Sequence, residues 1–160
     1  MAKLRVFVSS TYFDLKVIRS ELWRFITDHG YDPVEHEQNQ IPWGESKKLE
    51  EYCYDEIALC DMLISVVGGR YGAAATKHEG SSISQAELKA AQRLGKQVYI
   101  FVERDILAEH KTWRLNRENI GTKYASVDDP RIYAFLELMY SLPKNNPVFP
   151  FITGEDIPRR

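Results

Sequence analysis

The chain has 160 residues, enough for one domain with a single sizeable core. A hydrophobic share of 44% and a charged share of 28% are ordinary for a soluble globular protein, and a net charge of -2 gives no electrostatic case for DNA or RNA as the main partner. The longest clean apolar run, "MLISVV", is a strand's length, and "MAKLRVFVSS" at the N-terminus lacks the apolar core and cleavage site of a secretory leader, so the reading is a cytoplasmic protein without a membrane partner.

Along the chain, short apolar strands alternate with helical patterns. Leu4–Val8 reads as a strand, and "FDLKVIRSELWRFITDHG" as a helix, with Leu15, Ile18, Leu22, Phe25 and Ile26 at helical spacing and Gly30 as its stop. Tyr31–His36 is a short second strand, put at or near an edge by Pro33. "QNQIPWGES" is a loop, and Ser46 opens a helix from Lys47 to Leu59. "MLISVV" is a third strand buried on both faces, its one polar residue being Ser65. The glycine-rich turn "GGRYG" and a loop of small residues lead to a helix that stops at Gly95, followed by the strand "QVYIFV". "RDILAEHKTWRLNREN" and "DDPRIYAFLELMYSL" read as two further helices, the second with Asp129 as cap and Pro130 in its first turn. "NPVFPFI" is a fifth strand, and "TGEDIPRR" looks like the start of another helix, which suggests the N-terminal domain of a longer protein. Alternation of this kind implies a parallel sheet with right-handed crossovers and helices on both faces.

Cys53 and Cys60 fall on one face of one helix two turns apart, too far for a disulfide, and read as buried core thiols. The histidines show no ligand spacing with each other or with cysteine, so no metal is expected.

In an open parallel sheet, ligands bind beyond the carboxyl ends of the strands. Here those ends carry "SSTYFD", "EQNQIPWG", "GGRYG" and "ERD". Thr11 and Asp14 have capping-box spacing; the functional alternative is that Ser9, Ser10 and nearby backbone donors receive a phosphate or ribose at a helix N-terminus. "GGRYG" is neither a dinucleotide fingerprint nor a P-loop. Gly68 and Gly69 either just make a turn or bring the backbone close to a ligand, with Arg70 on its phosphate and Tyr71 stacked on its ring. Tyr12 and Trp43 either line that cleft or serve packing, and Glu35 and Glu37 either reach ribose hydroxyls or end a solvated strand.

Glu87 draws the sharpest question. Ser84 and Glu87 have the spacing of a capping box, in which the glutamate only ties off backbone donors. At 100° per residue from Ala86, the apolar Ile83, Ala90, Leu94 and Ala91 lie between roughly 40° and 140°, and the polar Gln85, Lys89, Gln92 and Arg93 between roughly 240° and 340°. Glu87 falls near ~100°, in the middle of the apolar arc, where a surface cap has no need to be. A carboxylate facing inward at the mouth end of that helix is a candidate for function.

"VFVSSTYFDLKVIRSEL", "CDMLISVVGGRYG" and "SISQAELKAAQRLGKQVYIFV" together resemble an uncharacterised TIR-like family, found at the N-termini of signalling proteins with NACHT or related NTPase modules and repeats. More distantly, "AELKAAQRLGKQVYIFV" is similar to the glutamate helix of nucleoside 2-deoxyribosyltransferases and of TIR-domain NAD hydrolases. The resemblance implies a flavodoxin-like, TIR-like three-layer sandwich with about five parallel strands, spanning residues 1–160 as one domain. It makes Glu87 the carboxylate that attacks or stabilises C1′ of a ribose, with NAD or a related nucleotide as substrate and no cofactor. It also implies self-association for activity, a C-terminal NTPase or repeat domain, and a role in signalling or defence. A non-catalytic nucleotide-binding or protein-interaction module and a nucleoside deoxyribosyltransferase are the alternatives.

Overall fold

The computed structural model describes residues 3–11, 14–35, 46–72, 81–153 and 156–157, with backbone alone for 46–52. Among the described residues five strands, β1 (Arg5–Ser9), β2 (Asp32–Val34), β3 (Met62–Val67), β4 (Gln97–Glu103) and β5 (Val148–Phe151), form one parallel sheet in the order β2-β1-β3-β4-β5. Among the described residues they are connected by α1 (Lys16–Asp28), α2 (Ser46–Leu59), α3 (Ile83–Arg93), α4 (Arg104–Leu115) and α5 (Arg131–Ser141). This is the flavodoxin-like α/β sandwich expected from the alternation, and β2 with its proline is an edge strand.

Strand alternation sends successive side chains to opposite faces. Phe7, Leu63, Val98, Ile100 and Val102 pack under Cys53 and Ile57 of α2, Leu88 and Ala91 of α3, Ile106 of α4 and Leu136 of α5. Val6, Val8, Val66, Phe101 and Phe151 face the other way, onto Leu15 just before α1, Leu22 and Ile26 of α1, and Ile157. Both β3 and β4 are thus covered on both sides, which is why their sequences lack a polar alternation. Cys53 and Cys60 are buried thiols, and burial pushes the Cys60 thiol up to about 12 while Arg5 pulls the other way. Gly95 stops α3 at φ 72, a left-handed conformation that glycine adopts without a Cβ clash.

Two expected caps fall elsewhere. α1 starts at Lys16 without a side-chain cap, so Thr11 Oγ1 bonds the Asp14 carboxylate within the loop and no Thr11–Asp14 capping box forms. The residue before α5 is Pro130 and not Asp129; the Asp129 carboxylate instead accepts the Arg131 backbone N–H at 2.9 Å and grips the Arg131 guanidinium. Among the described residues no helix is long and apolar enough to cross a membrane.

Candidate functional site

The chain leaves β1 toward one edge of the sheet and, after crossing back, leaves β3 toward the other. The carboxyl ends of β1 and β3 therefore flank the switch point where open α/β sheets bind ligands. A cleft opens there. Thr11 comes from the end of β1, Ser65 through Gly68, Arg70 and Tyr71 from β3 and its loop, Ser82, Ser84 and Gln85 from the start of α3, and Ile132 and Phe135 from α5. Its volume is about 30 Å³, room for two or three waters at about 10–15 Å³ each.

The start of α3 is capped two residues earlier than the spacing suggested. Ser82 Oγ accepts the Gln85 N–H at 3.2 Å, and Gln85 Oε1 accepts the Ser82 N–H at 3.3 Å, a reciprocal capping box. Ser84 and Glu87 do not form that box, because the helix begins at Ile83 and places them too far into it. Glu87 lies past the first turn and is fully buried, at 0% exposure, as its place on the apolar arc required. The cap role is taken by Gln85, and Glu87 itself is not among the described residues that line the cleft.

Of the residues singled out from the sequence, Gly68, Arg70, Tyr71 and Ser84 line the cleft, with Arg70 exposed at its mouth. Tyr71 is 6% exposed; the Arg131 guanidinium lies 4.0 Å over its ring, and its backbone N–H reaches Asp128 Oδ1 at 2.9 Å. One face of Tyr71 is therefore occupied by arginine. Gly69 lies beneath the segment before α5: a Cβ there would stand 2.5 Å from the Ser126 carbonyl oxygen, and its own carbonyl accepts the Asp128 N–H at 2.8 Å. Its smallness admits a strap of the protein itself.

Ser9 and Ser10 are buried, and their hydroxyls are used internally. Ser9 Oγ donates to the Ser84 carbonyl at 3.3 Å, tying β1 to α3. Ser10 Oγ donates to the Thr11 carbonyl and accepts from Arg19 Nη1 at 2.6 Å, and Arg19 Nη1 also reaches the Ser10 carbonyl at 3.1 Å. Arg19 in turn sits 3.5 Å from Glu35, both side chains being almost wholly buried. Glu35 therefore does not end a solvated strand; it joins the end of β2 to the end of β1 through Arg19. Tyr12, Glu37 and Trp43 lie outside the described residues.

Glu103, the last residue of β4, crowds the space over Gly68 with Asp14 and is held above the usual carboxyl range by burial, then by Asp14 and Asp105. It shares a strand face with Phe101 and so points to the α1 side, whereas Ser65 and Val67 face the α3 side. Among the described residues no group of three or more His, Cys, Asp or Glu could hold a metal ion. Sequence reasoning missed Ser65, Ser82, Gln85, Ile132 and Phe135. Only Ser65 left a signal, as the polar interruption of an apolar strand.

These features define a flavodoxin-like α/β domain with a small polar cleft at its topological switch point and a buried glutamate on the helix beside it. The chain belongs to the family described as "Domain of unknown function (DUF4062)", whose model matches residues 5–157. Among solved structures it is similar in fold to the CMP N-glycosidase BcmB of Clostridium botulinum, with a TM-score of 0.52 and 15% identity over 97% of this chain and 96% of that one. No curated protein matches it.

Proposed function

We propose that this domain is a nucleotide N-glycosidase, a TIR-like signalling or defence module that cleaves NAD to nicotinamide and ADP-ribose, or a related nucleotide in the same way, with Glu87 as the catalytic carboxylate. The observation that supports this is Glu87 itself: a fully buried carboxylate past the first turn of α3, the helix whose opening residues Ser82, Ser84 and Gln85 line the cleft, with the helix cap supplied by other residues. The fold shared with a protein named as a CMP N-glycosidase supports the class.

The chemistry suits one carboxylate. The C1′–N bond breaks with its electron pair leaving on the base, and the oxocarbenium-like sugar is stabilised or trapped by the carboxylate until water adds and loses a proton. Nicotinamide departs from a pyridinium as a neutral molecule and needs no general acid, whereas a nucleoside base usually needs protonation. Self-association and a C-terminal NTPase or repeat domain would supply activation. The narrowness of the cleft favours, as a second reading, a non-catalytic module that binds a nucleotide or another such domain through the same rim. Deoxyribosyl transfer between bases is the third.

The test is base release. Protein incubated with NAD, and separately with CMP, is followed for free nicotinamide or cytosine by chromatography. Release that disappears in Glu87→Gln, with melting nearly unchanged, supports the reading. No release from an assembled full-length form overturns it in favour of the non-catalytic module, and exchange between two added bases selects the transferase.

A further inference from the structure

Ser65 is the one polar residue of β3, and it is 3% exposed. Its register neighbours are Ser9 on β1 and Ile100 on β4. Placing a hydroxyl in a buried central strand costs free energy unless the group is bonded. Ser9 meets that demand through the Ser84 carbonyl. Ser65 does not: its hydroxyl has no hydrogen-bond partner among the described residues, and it opens onto the cleft. Just above it begins α3, 11 residues long, whose first N–H groups have no intrahelical acceptor, while the Ser82–Gln85 box satisfies only part of that turn. Among the described residues that line the cleft, Arg70 at the mouth is the one charged side chain.

Donors on three sides, one cation and a volume of about 30 Å³ suit a compact anion of a few heavy atoms and exclude a base or a sugar ring. We propose that this cleft is a phosphomonoester subsite: Ser65 at the floor, the N–H groups that open α3 and Arg70 at the mouth hold the terminal phosphate of a sugar phosphate. The subsite rests on the glycosidase reading only for what the phosphate is attached to. A cleft of about 30 Å³ takes one terminal phosphate and not the two linked phosphates of a dinucleotide's pyrophosphate. Among pyridinium substrates it therefore favours the mononucleotide over NAD.

Calorimetric titration with ribose 5-phosphate, ribose and inorganic phosphate tests the assignment without any catalytic step. Ribose 5-phosphate is expected to bind at least about tenfold more tightly than ribose, one charge-assisted hydrogen bond's worth, with Ser65→Ala and Arg70→Ala each removing most of that margin. Ser65→Ala is expected to melt at or above the wild-type temperature, since the hydroxyl has no hydrogen-bond partner among the described residues. Equal binding of ribose and ribose 5-phosphate overturns the subsite, as does unchanged binding in both variants. Inorganic phosphate binding more tightly than ribose 5-phosphate overturns the assignment to a sugar phosphate. Phosphate-dependent binding without base release from any nucleotide upholds the subsite and rejects the glycosidase reading alone.

Discussion

Replacing Arg19 by methionine probes the joint on which the rim of β1 and β2 is built. Arg19 and Glu35 are 1% and 0% exposed, their charged ends lie 3.5 Å apart, and Arg19 also donates to the carbonyl and hydroxyl of Ser10. Removing the guanidinium leaves the Glu35 carboxylate buried beside a methionine and takes a donor from Ser10, a loss of about 3–5 kcal/mol for breaking one side of a buried pair. For a chain of this size that lowers Tm by on the order of 10 °C. Glu35→Leu alone takes the buried carboxylate from the arginine, which keeps its bonds to Ser10, and has a cost of the same order. The double variant removes both charges and keeps the volume apolar, so it recovers most of the loss, short of the bonds to Ser10. Urea unfolding of the wild type, both single variants and the double variant measures this cycle. Single variants each within about 1 kcal/mol of wild type, or a double variant as unstable as the sum, would refute the reasoning.

Gly69→Ala places a Cβ 2.5 Å from the Ser126 carbonyl oxygen. The Ser126 segment cannot give way freely, because Glu109 accepts the Ala125 and Ser126 N–H groups at 3.0 Å and the Tyr133 hydroxyl at 2.6 Å. The variant is expected to lose about 1–3 kcal/mol, and a wild-type urea midpoint would contradict it. His110, stacked near Trp113, Tyr133 and Tyr140, is held below its ordinary 6.5 by burial and then by Arg114, against the opposing pull of Glu137. An unfolded histidine takes up its proton first as pH falls, so this part of the stability is complete above about 6.5 and is lost as pH falls through the lower folded value. His110→Phe should flatten the stability profile on the acid side of 6.5, as read from Tm against pH.

The burial of Glu87 was legible in one helix, because a helical wheel ranks positions by face and the apolar arc of α3 had to meet the core. The sheet was equally legible: apolar runs in β3 and β4 with no polar alternation have to be covered on both sides, and Pro33 keeps β2 at an edge. Caps were less so. Ser82–Gln85 and Ser84–Glu87 have the same spacing, and only the position of the first helical turn chooses between them. Contacts across the fold left no trace in local pattern. Ser9 reads as a rim hydroxyl until α3 is laid beside β1, and Glu35 as a strand end until Arg19 is brought to it. The sequence by itself determined which faces are apolar and hence the layers, since burial follows periodicity. The tertiary structure alone decided which polar groups satisfy one another and which, like Ser65, open onto the cleft, because hydrogen bonding depends on ångström distances between segments far apart in the chain.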